Sequence, residues 1–166
     1  MKNFQNKVAA ITGAGSGIGR ALAVNLAQAG CHLAIADVNV AGLNETAELA
    51  RAAGVNVTMQ QLDVSNRAAV YAWADSVIAQ HGKVNMIFNN AGVALGGTVE
   101  ANTYEDMEWI VNINLWGVVY GTKAFLPHLT ASGDGHIVNV SSVFGLFAQP
   151  TQSAYNLSKF AVRGFT

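Results

Sequence analysis

Among 166 residues only one is cysteine and two are proline. A lone Cys31 can form neither an intrachain disulfide nor a cysteine-rich zinc site, and it reads as a small buried core residue. Charge is also scarce: Asp, Glu, Lys and Arg make up 11% of the chain, with a formal net charge of −1 and a pI near 6.4. Such a balance provides no basic field for nucleic acid or for an anionic membrane. No apolar run approaches a bilayer span, and the start, Met1-Lys2-Asn3-Phe4-Gln5-Asn6-Lys7, lacks the apolar region of a signal peptide. A soluble, cytoplasmic protein is expected. His32, His81, His128 and His136 are scattered without ligand spacing, so no metal site is expected. What the chain has in quantity is apolar residues, 51% of the total. A sheet covered on both faces requires near-continuous apolar strands, which depresses the charged fraction.

Short β-branched or apolar runs alternate with longer helical stretches. Strands are expected at residues 7–12, 32–37, 56–63, 84–89 and 136–141. Helices are expected from about 17 to 30, at 41–53, at 66–81, as one long segment at 103–131, and from 153 onward. Pro127 should kink or close the last turns of the long segment. Repeated βα units of this length predict an α/β fold, a doubly wound parallel sheet with helices on both faces. No linker, repeat or low-complexity stretch divides residues 1–166, so one domain is expected.

The first strand runs into Thr12-Gly13-Ala14-Gly15-Ser16-Gly17-Ile18-Gly19. Glycines here let the backbone approach a pyrophosphate, and the following helix offers free N–H groups and the positive end of its dipole. A phosphate-binding Walker loop would need a Gly-Lys-Ser/Thr ending, which is absent. The usual G-x-G-x-x-G fingerprint also fails, because its third glycine falls on Ile18 or Arg20. The spacing that stands is T-G-x-x-x-G-x-G. Asp37 ends the second strand, where a carboxylate can accept from both hydroxyls of an adenosine ribose and repel a 2′-phosphate. Val38 and Asn39 follow it and Ser16 precedes Gly17, so no basic residue awaits that phosphate. NAD is favoured over NADP.

Tyr155 and Lys159 are four residues apart in the last helical stretch and so share one helix face. A cation beside a phenol favours its phenolate, bringing proton exchange towards neutral pH. Ser142, thirteen residues upstream, could offer a hydroxyl to a substrate oxygen whose charge changes. The trio reads as acid–base equipment for a carbonyl or an alcohol. Strand alternation lets only one of Ser141 and Ser142 face a cleft. Tyr120 and Lys123, three apart inside the long helical stretch, form a decoy pair that serves packing or surface.

With these pieces in order, the sequence resembles the short-chain dehydrogenase/reductase family, in its short single-domain branch, over essentially all 166 residues. The resemblance implies a Rossmann-type fold. It matches Asp63-Val64 to the pair that holds the adenine, and Asn89-Asn90-Ala91-Gly92 to a segment supporting the sheet and touching the adenosine side of the cofactor. It matches Asn114 to the helix asparagine of the catalytic set, Ser142 to the catalytic serine, and Tyr155 and Lys159 to the Y-x-x-x-K pair. Implied roles follow. Tyr155 is the general acid–base, and Lys159 holds the nicotinamide ribose and lowers the tyrosine pKa. Ser142 orients the substrate oxygen, and Asn114 positions Lys159 and a water chain. The cofactor contacts expected are Gly13, Ser16, Gly17, Ile18, Gly19, Asp37, Asp63, Val64, Asn90, Ala91, Gly92, Tyr155 and Lys159.

Val93-Ala94-Leu95-Gly96-Gly97 and Val143-Phe144-Gly145-Leu146-Phe147-Ala148 should flank the cleft and are apolar. A neutral, fairly apolar secondary alcohol or ketone is therefore expected as the small-molecule substrate. Trp109, Trp116 and Phe125 form a stripe shared between core and, by resemblance, a subunit interface, so a homo-oligomer is expected. A relative that binds NAD without efficient turnover is the competing reading. The family continues past the Tyr-Lys helix to a sixth and a seventh strand, whereas this chain stops seven residues after Lys159. The expected sheet therefore lacks the family's last strands, with weak binding and poor turnover for the 166 residues alone.

Overall fold

The protein is described by a computed structural model covering residues 3–166. Its first half runs β1 (Val8–Thr12), α1 (Gly17–Gln28), β2 (His32–Asp37), α2 (Val40–Arg51) and β3 (Val57–Gln61). Its second half runs α3 (Arg67–His81), β4 (Met86–Asn89), α4 (Tyr104–Val111), a π-helical turn (Asn112–Trp116) and α5 (Gly117–Ala131). β5 (His136–Asn139), a 3-10 turn (Val143–Gly145) and α6 (Ser153–Phe165) follow. The strands form one parallel sheet in the order β3-β2-β1-β4-β5, with Ile11 of β1 in register with Ile35 of β2 and Phe88 of β4. This is the doubly wound, Rossmann-type arrangement.

Local chemistry starts and stops the helices. Asn39 and Asn66 accept from backbone N–H groups three residues on, satisfying first-turn donors of α2 and α3. Gly82 ends α3 in the left-handed conformation, φ 73°. Thr103 and Asp106 cap α4 reciprocally.

Strand periodicity distributes the apolar residues between two cores. Val8, Ala10, Ala34, Ala36 and Ile87 face α3 and α5, where Trp73 meets Phe125 edge-on at 5.0 Å. Ala9, Ile11, Leu33, Ile35 and Phe88 face α1 and α2. Helices thus cover both faces. Burying a side chain such as Phe125 is worth about 1.5–3 kcal/mol.

The expected long helix at 103–131 is interrupted by the π-helical turn at its middle. Asn114 in that turn is fully buried and its amide bonds to other parts of the fold, so tertiary contacts set the local helix type. Pro127 does not close the helix, which continues to Ala131. Both Pro127 and Lys123, whose carbonyl loses its partner, are exposed, and water can satisfy that oxygen. β3, β4 and β5 are shorter than the strands expected at 56–63, 84–89 and 136–141.

Candidate active site

The strand order reverses between β1 and β4, and a parallel sheet opens a crevice at such a switch point, beyond its carboxyl ends. A cleft of about 380 Å³ lies there. Gly13, Ser16, Gly17, Ile18, Gly19, Asp37, Asp63, Val64, Asn90, Ala91 and Gly92 all line it, whereas Tyr155 and Lys159, also expected to contact the cofactor, are not among its lining residues. Val38, Leu62 and Ile113 join the lining without having been expected, and so does Val93, from the apolar run expected to flank the cleft. Leu62 and Val38 directly adjoin Asp63 and Asp37. Their apolar character was a usable signal for walls around a planar base.

The glycine turn fits the phosphate groups of a nucleotide on two counts. Ser16 caps α1 in an extended conformation without a side-chain hydrogen bond, so the first N–H groups of the helix stay available at its positive end. Gly17 has φ +49°, and a β-carbon there would meet nothing within 4 Å, which leaves open space where phosphate oxygens would sit.

The turn is fastened at both ends. Thr12 Oγ1 accepts from the N–H groups of Asn90 and Ala91 at 3.0 and 3.1 Å, and lies 3.3 Å from the Phe88 carbonyl oxygen, to which it donates. Asn90 Nδ2 donates to the carbonyls of Thr12 and Gly13 at 2.9 and 3.2 Å, so its amide braces β1 against β4. Asp37 Oδ2 accepts from Gly15 N–H at 2.8 Å and Oδ1 from Asn39 N–H at 2.9 Å. Each carboxylate oxygen keeps a further lone pair.

The second group of residues lies past Gly92. A β-carbon on Gly92 would stand 3.2 Å from Asn114 Oδ1 and 3.3 Å from Lys159 Nζ, so this glycine joins the cleft to the polar cluster. Lys159 is 4% exposed, its ammonium donates to the Val140 carbonyl at 3.1 Å, and burial lowers its pKa from the usual lysine value. Among the described residues no carboxylate pairs with it. Its Nζ lies 5.7 Å from the centre of the Tyr155 ring, one turn earlier on α6. The Tyr155 ring meets Phe144 edge-on at 6.1 Å.

Asn114 makes no direct bond to Lys159. Its Oδ1 accepts from Val93 N–H at 2.8 Å, and its Nδ2 donates to Val93 O at 2.9 Å and to Ser158 Oγ at 3.1 Å. The amide therefore fixes the loop after β4 and the residue beside Lys159. Ser158 was a member of the network that pattern reading missed, because nothing in its local sequence marks a partner 44 positions away.

Both serines lie beyond the β5 ladder, outside the alternation of the strand, and make different contacts. Ser141 Oγ donates to the Lys159 carbonyl at 2.8 Å, while Ser142 Oγ accepts from Phe144 N–H at 3.2 Å and caps the 3-10 turn. Ser142 keeps its hydroxyl proton for another acceptor. The decoy pair is not a site: Tyr120 stacks on Trp116 at 5.6 Å, and Lys123 is exposed.

Comparison with known proteins agrees with this geometry. The family model "short chain dehydrogenase" matches residues 7–166. "Putative oxidoreductase SadH" of Mycobacterium tuberculosis is 58% identical over 166 residues, covering all of this chain and 60% of that protein. Human estradiol 17-beta-dehydrogenase 11 is 38% identical over 164 residues, 99% of this chain and 55% of that protein. A crystal structure of a short chain dehydrogenase/reductase from Burkholderia phymatum in complex with NAD superposes with a TM-score of 0.96 at 43% identity, over 99% of this chain and 59% of that one. The chain spans about 60% of the length of the relatives it matches. On sequence and fold alike, it belongs to the short chain dehydrogenase family.

Proposed function

We propose that this chain carries the nucleotide site and the acid–base residues of an NAD-dependent oxidoreductase acting on a neutral, fairly apolar secondary alcohol or ketone. The observation that carries the reading is Lys159: a buried ammonium without a carboxylate partner among the described residues, one helical turn from Tyr155 and beside Gly92 at the end of the cleft. Burying a charge so is costly, and such groups cluster where chemistry needs them.

The nicotinamide group, when bound, supplies the hydride acceptor or donor. The α1 N-terminus around Gly17 would receive the pyrophosphate, Asp37 the adenosine ribose hydroxyls, and Asp63 and Val64 the adenine. Lys159 would hold the second ribose and bring its positive charge one helical turn from the Tyr155 ring. In oxidation the Tyr155 phenolate oxygen takes the hydroxyl proton of the alcohol. In reduction the Tyr155 hydroxyl returns a proton to the carbonyl oxygen. Ser142 Oγ donates to that same oxygen and holds it in place. Asn114 fixes the backbone around both.

Preference for NAD is supported by Asp37 at the cleft wall, with Val38 beside it and no basic side chain among the lining residues. The substrate class is supported by the exposed apolar side chains of Val143, Leu146 and Phe147 next to Ser142, and by a relative named for estradiol, a neutral alcohol. Assembly into a homo-oligomer is supported by Trp109 and Trp116, 46% and 44% exposed and about two turns apart on the interrupted helix. A monomeric mass for the full-length protein in light scattering would count against assembly.

The decisive experiment is NAD-linked turnover by the full-length protein across a panel of alcohols and ketones. Activity with neutral secondary alcohols that disappears in Tyr155→Phe, with NAD binding retained, is the expected result. Turnover of charged substrates alone would reject the substrate class. Nucleotide binding without turnover of any kind would reject the enzyme.

A further inference from the structure

Behind the glycine turn, on the side away from the cleft, α2 grips the backbone that the cofactor would approach. Thr46 of α2 is fully buried. Its Oγ1 lies 2.8 Å from the Ala14 carbonyl oxygen and 3.0 Å from that of Gly42, and accepts from Arg20 Nε at 3.0 Å. Arg20 Nη2 donates to the Gly15 carbonyl at 2.6 Å and to Glu45 Oε2 at 2.8 Å, with the Gly42 carbonyl at 3.3 Å. The approach of α2 depends on residue 42 being glycine, since a β-carbon there would stand 2.5 Å from the Gly15 carbonyl oxygen. Neither Arg20 nor Thr46 lines the cleft.

One peptide unit links this grip to the carboxylate of Asp37. The carbonyl of Ala14 faces Thr46, and the N–H of the same unit, on Gly15, donates to Asp37 Oδ2 at 2.8 Å. A peptide unit is a rigid plane, so holding its carbonyl end aims its N–H end. The Asp37 carboxylate also lies close against the turn: a β-carbon on Gly15 would stand 2.9 Å from its Cγ. The Arg20–Glu45 ion pair contributes little to this by itself, because Glu45 is largely exposed. The bonds that matter are those to buried backbone oxygens.

We propose that Thr46, backed by Arg20, is a positioning residue for Asp37, and that it sets the preference for an adenosine ribose with a free 2′-hydroxyl over one with a 2′-phosphate. The proposal rests on the reading of Asp37 given above. With Thr46 in place, the carboxylate is held ready to accept from the ribose hydroxyls and to repel a phosphate. Without it the peptide unit can rock, Asp37 turns away, and the penalty against the 2′-phosphate fades along with affinity for the hydroxyls.

The test is equilibrium binding of NAD and of NADP, by calorimetry, to the full-length protein and its Thr46→Val, Thr46→Ser, Arg20→Ala and Glu45→Gln variants. Thr46→Val should weaken NAD about tenfold while NADP changes by less than about twofold, narrowing the ratio by nearly the whole NAD loss. Thr46→Ser, which keeps the hydroxyl, should restore the wild-type ratio. Arg20→Ala should move in the same direction as Thr46→Val, and Glu45→Gln should leave both affinities unchanged. Equal losses for the two nucleotides, or none, overturn the proposal and leave the nucleotide site standing. Binding of neither nucleotide by the wild type overturns the nucleotide reading, and the proposal with it. If Arg20→Ala does not fold, the contrast between Thr46→Val and Thr46→Ser decides the matter.

Discussion

The side-chain amide of Asn114 donates to Ser158 Oγ at 3.1 Å, tying the π-helical turn to the helix that carries Tyr155 and Lys159. The same amide closes both a donor and an acceptor bond to Val93. Asn114→Ala would leave these partners unsatisfied at a fully buried position. A stability loss of about 2–4 kcal/mol is expected, read as a lower urea midpoint at unchanged slope. A midpoint equal to wild type would show that the network is dispensable.

Tyr155→Phe should separate chemistry from structure. Its ring contacts with Phe144 and Lys159 persist, and among the described residues the Tyr155 hydroxyl has no hydrogen-bond partner to lose. The melting temperature and NAD affinity should stay close to wild type, whereas turnover should fall by about 10²–10⁴. A variant that melts early but retains its kcat would assign the residue to packing.

Lys159 should give the fold a pH dependence of known sign. Burial lowers its folded pKa from 10.5, so the unfolded chain binds this proton more tightly. The resulting penalty is complete below the folded pKa and fades as pH rises through it towards 10.5. Compared with Lys159→Met, wild type should therefore gain stability between the depressed value and the ordinary one. Denaturant midpoints of the two proteins from pH 7 upward test this, and a constant difference would contradict it.

Two glycines of the turn should fail in different ways. At Gly17 an added methyl meets nothing, so Gly17→Ala should cost only the left-handed strain of φ +49°, about 1–2 kcal/mol. The methyl would nonetheless stand where phosphate oxygens must approach, and NAD affinity should fall at least about tenfold. At Gly19 a methyl would overlap the Gly13 carbonyl and lie 2.7 Å from Asn90 Nδ2, so the backbone must move. Gly19→Ala should cost about 3 kcal/mol or more in stability. Equal stabilities for the two variants in denaturant would refute the distinction.

The parts of the fold that could be read from the chain were those set by near neighbours. The run at His32–Asp37 has the strand's limits, because alternating burial on two helix-covered faces requires an unbroken apolar stretch between polar ends. The glycine turn was legible because few residues tolerate its backbone, and the Tyr155–Lys159 pair because four positions make one helical turn. The π-helical turn was not, since Asn112-Ile113-Asn114-Leu115-Trp116 has ordinary helical composition and its geometry answers to Val93 and Ser158. The grip of Thr46 on Ala14 was hidden for the same reason. A threonine inside a helix reads as a weak helix former until the carbonyl beside it is seen.

The sheet order also arranges the site in time. The bond that seats Asp37 under the turn closes a separation of 22 residues, within one βαβ unit. The Asn90–Thr12 brace closes 78, and Asn114 to Ser158 closes 44 only after α6 exists. Loop-closure entropy favours the 22-residue contact over both longer ones, so we expect the Asp37 side of the turn to acquire its shape before the Asn90 brace and the cluster around Tyr155 and Lys159 do. Pulse-labelled hydrogen exchange during refolding should protect β1 and β2 ahead of α6, and simultaneous protection would reverse that order. A chain still emerging from synthesis would then have the means to recognise a nucleotide before it has any means to act on one.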